Sequence, residues 1–202
     1  MGHTNVATVT LPLDAERGRG PLTPERVAQA TVDVTLDRLA GFREVFPQAP
    51  GVMADASLVD EGMIAARTLL TDADGALHAD RPTAIVAQSD LLAVGVIRAA
   101  EELGLRVPED LTVVGFDGIA ADGLGSLKLT TIAQPAVAKG RAAGEQVTRM
   151  LAGEPGSPCT SPVYSAKGRP PLRCRMKKIA RLRQLASTSL RSRLCFCSSP
   201  CS

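Results

Sequence analysis

Cysteine is missing from the first 158 residues of this 202-residue chain, and all five copies (Cys159, Cys174, Cys195, Cys197 and Cys201) lie in the remainder. No disulfide framework can therefore support the larger part. Tryptophan is absent altogether, and one Tyr and four Phe complete the aromatic content. That leaves few candidates for stacking on bases or sugar rings and requires an aliphatic core. Acidic residues are absent after residue 158, so the first part carries 13 Lys/Arg against 21 Asp/Glu and the last 44 residues carry ten cations with no acid. Two materials of opposite charge are joined end to end. No apolar run approaches the roughly 20 residues that span a bilayer, and the start MGHTNVATV lacks the basic and apolar regions of a signal peptide. The expectation is a cytoplasmic protein without membrane association. Its length and its 45% hydrophobic residues suffice for one large domain or two small ones.

Strands and helices alternate through the acidic part. NVATVTL (5–11) is rich in β-branched residues and ends at Pro12, which suits a strand. PLDAERGRGPL (12–22) reads as a loop. Thr23 before Pro24 is an N-cap followed by the preferred first helical residue, and Val27, Ala30, Val34, Leu39, Phe42 and Phe46 recur at helical intervals, predicting one helix up to Pro47. After the short apolar piece GVMA, Ser57 with Asp60 and Glu61 resembles a capping box opening a helix to about Leu70. TAIVA (83–87) predicts a buried strand. Asp90 then opens a helix with Leu91, Val94, Ile97 and Leu103 on its stripe, closed by Gly104. LTVVGF (111–116) and LTTIAQ (129–134) predict two more strands, and a last helix follows Pro135 as far as about Leu151. Strands that are apolar on consecutive residues predict an α/β fold, a parallel sheet flanked by helices on both faces. Ligands of such sheets sit beyond the carboxyl ends of the strands. Asp90, Asp117 and Gln134 each follow or end a strand, so they are expected along one rim.

The run RPTAIVAQSDLLAVGVIRAAEELGLRVPEDLTVVGFDGIA, followed by LTTIAQP, resembles the effector-binding core of lactose-repressor-type (LacI/GalR) transcription regulators. LDRLAGFREVF (36–46) and GHTNVATVT (2–10) resemble the segments that precede it. The resemblance covers about residues 2–153, and the order of its motifs makes it specific. It implies one subdomain of a periplasmic-binding-protein-like sensor. On that basis residues 2–134 are the second subdomain, and 135–153 the helix that returns to the first. Residues 154–202 form an irregular basic tail, rich in Ser, Arg and Cys, in place of the family's last strand. The helix-turn-helix and most of the first subdomain would then lie outside the chain, which would reach operator DNA only through them. The intact protein would be a homodimer.

By position, the resemblance carries effector contacts onto Arg38, Asp90, Asp117 and Gln134. Carbohydrate hydroxyls come in neighbouring pairs, which a carboxylate accepts and a guanidinium fork donates to. Each residue has a plainer reading: Asp90 as a helix N-cap, Asp117 as a turn residue of Asp-Gly, Arg38 as a surface helical arginine, Gln134 as a hinge position. Where the family usually carries Asn-Asp, this chain has Ser89-Asp90, with a shorter side chain and no amide.

Signals for chemistry are weak. Asp60-Glu61 and Glu101-Glu102 fall on helix surfaces and are expected to be solvated. His3 and His78 are isolated, so no metal site and no Ser-His-Asp set is expected, and neither a dinucleotide fingerprint nor a P-loop occurs. No cofactor is implied and an enzyme is not expected. In the tail, ten cations could grip phosphate, and Cys195-Phe196-Cys197 with Cys201 could bind a soft metal; the composition favours a disordered or out-of-frame segment, with a short basic helix at MKKIARLRQLA. The sequence therefore points to the effector-sensing, sugar-binding part of a regulator. The alternative is a fragment of a sugar-binding protein of a transport system.

Overall fold

A computed structural model describes residues 2–16, 18–119, 128–155 and the backbone of 164–165, all within one compact unit. The strands are β1 (Val6–Thr10), β2 (Gly20–Pro21), β3 (Gly51–Met53), β4 (Ala84–Ala87), β5 (Thr112–Asp117), β6 (Thr130–Ala133) and β7 (Tyr164–Ser165). The helices are α1 (Pro24–Ala28), α2 (Asp33–Val45), α3 (Val59–Leu70), α4 (Asp90–Glu102) and α5 (Ala136–Leu151).

They form one sheet in the order β2-β3-β1-β4-β5-β6-β7. β3, β1, β4, β5 and β6 run parallel, and the short edge strands β2 and β7 pair antiparallel. The expected parallel α/β fold is present. β1 is buried at every position, as a central strand covered on both faces must be. From β1 the chain moves one way to β3, then back past β1 to β4 and β5. Right-handed crossovers in opposite directions place α2 on one face and α3 with α4 on the other. The reversal leaves a crevice at the carboxyl ends of β1 and β4.

On the α3/α4 face, Ala7, Val9, Ile85 and Ala87 meet Ala65, Leu70, Leu92, Val96 and Ile97 in one aliphatic cluster. The two helices touch through glycine: a Cβ on Gly62 would lie 2.3 Å from the Leu92 carbonyl oxygen, and one on Gly95 2.0 Å from that of Val59. On the other face Leu13, Leu39 and Met53 are buried with Thr35.

Several expectations change. The single helix from Pro24 is two, α1 and α2, interrupted at residues 29–32, because the Thr31 and Val32 amides donate to the Leu13 carbonyl instead of continuing the helix. Thr23 does cap the first, accepting from the Arg26 amide. The supposed loop 12–22 carries β2, which pairs with β3 and covers that edge of the sheet. The segment 11–32, 22 residues between β1 and α2, exceeds the usual two to six or so residues of such a connection. Ser57 does not cap α3, which begins at Val59 after an uncapped Leu58. The absence of a last strand is also corrected: Tyr164 and Ser165 pair with Ala133 and Ile132. The tail cysteines and the basic segment MKKIARLRQLA lie outside the described residues.

Candidate functional site

Three of the four expected residues converge at the carboxyl ends of the strands. Arg38 on α2 is largely buried, its side chain 14% exposed. Its guanidinium lies 3.9 Å from the centre of the Phe116 ring, donates to the Gln88 carbonyl, and reaches Asp117 Oδ1 at 3.4 Å. The stacking and the carbonyl hold the fork; the long contact to Asp117 adds little by itself. Gln134, just past β6, donates from Nε2 to the same Asp117 oxygen at 2.5 Å. Lys139, on the first turn of α5, donates to Gln134 Oε1. One carboxylate thus lies on a rim with two cations and an amide.

Asp117 has φ 123°, the single positive φ outside glycine among the described residues. A side chain there costs about 1–3 kcal/mol, and such strain persists where the surroundings over-determine it, often at functional positions. Asp117 ends β5 with its carboxylate partly exposed. Around it, GFDG divides its tasks. Phe116 faces Arg38. Gly118, at φ 75°, abuts β6 so closely that a Cβ would lie 2.6 Å from that of Ala133.

Asp90 does not join the others. It is fully buried at the first turn of α4, accepting from the Ile119 amide at 2.8 Å and the Thr131 hydroxyl at 2.5 Å. Nor is it the N-cap, because Ser89 holds that place and accepts from the Leu92 amide.

Gln88, in the same stretch, is the residue that the sequence reading missed. The residue is 4% exposed and both ends of its amide are engaged: Oε1 accepts from the Leu11 amide, and Nε2 donates to the Thr35 carbonyl. With its backbone carbonyl bound to Arg38, Gln88 ties β4 to the exit of β1 and to α2. A polar residue between two apolar runs was the available signal, because a buried amide needs such partners.

Beside this cluster, over the ends of β1 and β3, an open groove of about 460 Å³ has apolar walls from Leu11, Pro12, Val32 and Val34 and polar ones from Asp14, Thr35 and Ser57. Ser57 donates to Ser89 Oγ at 2.8 Å, between groove and cluster.

Away from the rim, Glu61 is not solvated. At 5% exposure it accepts Arg19 Nε on both oxygens, at 3.1 and 2.9 Å, and the Asp55 amide at 2.9 Å. The Arg19 hydrogen bonds hold its carboxyl below the usual carboxylate range against the cost of burial. Glu101 and Glu102 are exposed, and Glu102 pairs with Arg67 between α4 and α3. His3 bridges the Thr83 and Thr112 hydroxyls, and His78 pairs with Asp72. Among the described residues no group of three His, Cys, Asp or Glu could hold a metal ion, and no helix is long and apolar enough to cross a membrane.

A family model described as a periplasmic binding protein-like domain matches residues 1–165. The HTH-type transcriptional regulator DegA of Bacillus subtilis is 34% identical over 135 residues, 67% of this chain and 35% of DegA. The HTH-type transcriptional regulator IpsA of Corynebacterium glutamicum is 33% identical over 156 residues, 74% of this chain and 42% of IpsA. The crystal structure of a LacI-family transcriptional regulator from Corynebacterium glutamicum superposes with a TM-score of 0.68 at 28% identity, over 83% of this chain and 50% of that one. The chain spans well under half the length of those curated relatives.

Proposed function

This chain belongs to the periplasmic binding protein-like domain family, as the effector-binding domain of a LacI-type transcription regulator, and we propose that it senses a small hydroxylated effector, a carbohydrate, for a DNA-binding protein. The observation that carries the reading is the convergence of Arg38, Asp117 and Gln134 on one rim of a family sensor sheet. A fixed guanidinium, a carboxylate and an amide supply donors and acceptors for paired hydroxyl groups.

In this reading residues 2–134 are one lobe of a two-lobed sensor. α5, which buries none of its residues against the sheet, leads to the other lobe. Closure of the lobes on the effector favours one arrangement of a homodimer and so changes its affinity for operator DNA, which requires unequal effector affinity in the two states. DNA contact belongs to a helix-turn-helix outside this chain, and the protein works in the cytoplasm without catalysing a reaction. The regulator relatives favour this over a transport protein.

One lobe supplies about half the contacts. An effector bound at about 1 μM by two lobes, −8.2 kcal/mol, then falls to about 1 mM at half that free energy. Titration of the labelled chain with a panel of monosaccharides and disaccharides, followed by NMR, is expected to show millimolar binding that shifts the signals of Asp117 and Gln134. Arg38→Ala and Asp117→Ala should each weaken it by roughly tenfold or more, the loss of one charge-assisted hydrogen bond. Binding that leaves those signals unmoved would refute the assignment of the site.

A further inference from the structure

Asp90 was expected at the ligand, but it is the one member of the expected set enclosed by protein. A buried carboxylate is costly unless its oxygens are satisfied, and here both are used. Oδ2 accepts from the Ile119 amide and Oδ1 from the Thr131 hydroxyl, while the same hydroxyl accepts from the Gly118 amide at 3.3 Å. These three bonds grip the two residues that follow Asp117, together with the β6 residue paired with Gly115. Gly115 makes the grip possible, since a Cβ there would lie 2.3 Å from Asp90 Oδ1. A helix-capping duty does not explain the arrangement, because Ser89 already performs it.

We infer that Asp90 is a positioning residue: through Thr131 and the Gly118–Ile119 backbone it holds the positive-φ turn that aims the Asp117 carboxylate at Arg38 and Gln134, without touching the effector. The turn needs such a hold. Asp117 occupies a conformation that a non-glycine side chain adopts only where its surroundings impose it, and its neighbours are fixed on one side by Ala133 and on the other by Asp90. Asp90 therefore acts on the rim from behind, through backbone rather than side-chain contact. Its purpose rests on the effector reading above, but its geometry does not.

The test uses the full chain without ligand, labelled for NMR, and reads two quantities: amide hydrogen exchange at Gly118 and Ile119, and the three-bond HN–Hα coupling of Asp117, which is small at its positive φ and large in ordinary strand. Asp90→Asn keeps the shape but cannot accept as a carboxylate does. It should speed exchange at Ile119 by roughly tenfold or more and raise the Asp117 coupling, leaving exchange in the first turn of α4 unchanged. Thr131→Val should do the same at Gly118, and Thr131→Ser should restore wild-type values; this pair decides the matter if Asp90→Asn does not fold. Unchanged exchange and coupling in Thr131→Val, or faster exchange confined to α4 in Asp90→Asn, would overturn the inference. If the variants behave as expected while no sugar moves the rim signals of the wild type, the effector reading fails and the positioning role stands.

Discussion

α4 and α5 are helices of similar length with opposite fates. α4 buries nine of its 13 residues between the sheet and α3, whereas α5 buries none of its 16. α5 is not polar all round: Val137, Val147, Met150 and Leu151 are more than half exposed. The contrast shows where the stability of this fold resides. Helices draw most of their stability from packing an apolar face, and of these two α4 alone finds its surface among the described residues. The apolar residues of α5 suit a surface elsewhere, which the proposed first lobe would provide.

Damage to the α4 seam should have the largest effect on stability. Leu92→Ala, at a fully buried position, should cost about 2–5 kcal/mol in denaturant unfolding. Gly95→Ala adds a single methyl group where only backbone lies opposite, and should cost about 1–3 kcal/mol; a neutral result would mean that α3 and α4 slide apart freely.

A smaller effect tests the opposite edge, where the long β1–α2 connection is tied to α3. Glu61→Gln should lower stability at neutral pH by about 1 kcal/mol, a moderate figure because Arg19 is half exposed and recovers water. Since the Glu61 carboxyl is held below its usual range, its contribution is complete above the unfolded value of about 4.3 and is lost as pH falls through the lower folded value. Wild type and variant should therefore converge in acid, and a gap that persists there would exclude the ion pair as its source. Last comes α5 itself: Met150→Ser with Leu151→Ser should change the unfolding free energy of this chain by less than about 0.5 kcal/mol. A larger loss would reveal a packing surface for α5 within this chain.

Much of the architecture was legible because its signals are local. Consecutive β-branched residues marked β1, β4 and β5, and Gly104 at φ 77° closes α4 where the spacing placed it. What escaped depended on distant partners. The break at residues 29–32 follows from the Leu13 carbonyl, and the short edge strands follow from β3 and β6 rather than from any pattern of their own. Glu61 looked like a surface acid until Arg19, 42 residues away in sequence, reached it. At the rim, strand order placed Asp117 and Gln134 together but also Asp90, which is buried instead, while Arg38 joins them from α2.

By itself the sequence determined an aliphatic parallel α/β fold with polar residues at the strand ends, because apolar runs, turn residues and helix stops act over a few positions. The tertiary structure alone decided which carboxylate faces outward. Asp90 and Asp117 have the same chemistry and both lie near strand ends, yet Gly115 admits the first into the protein interior, while the positive φ of Asp117 leaves its carboxylate at Arg38. That choice rests on contacts between β5, β6 and α4, which no local pattern records.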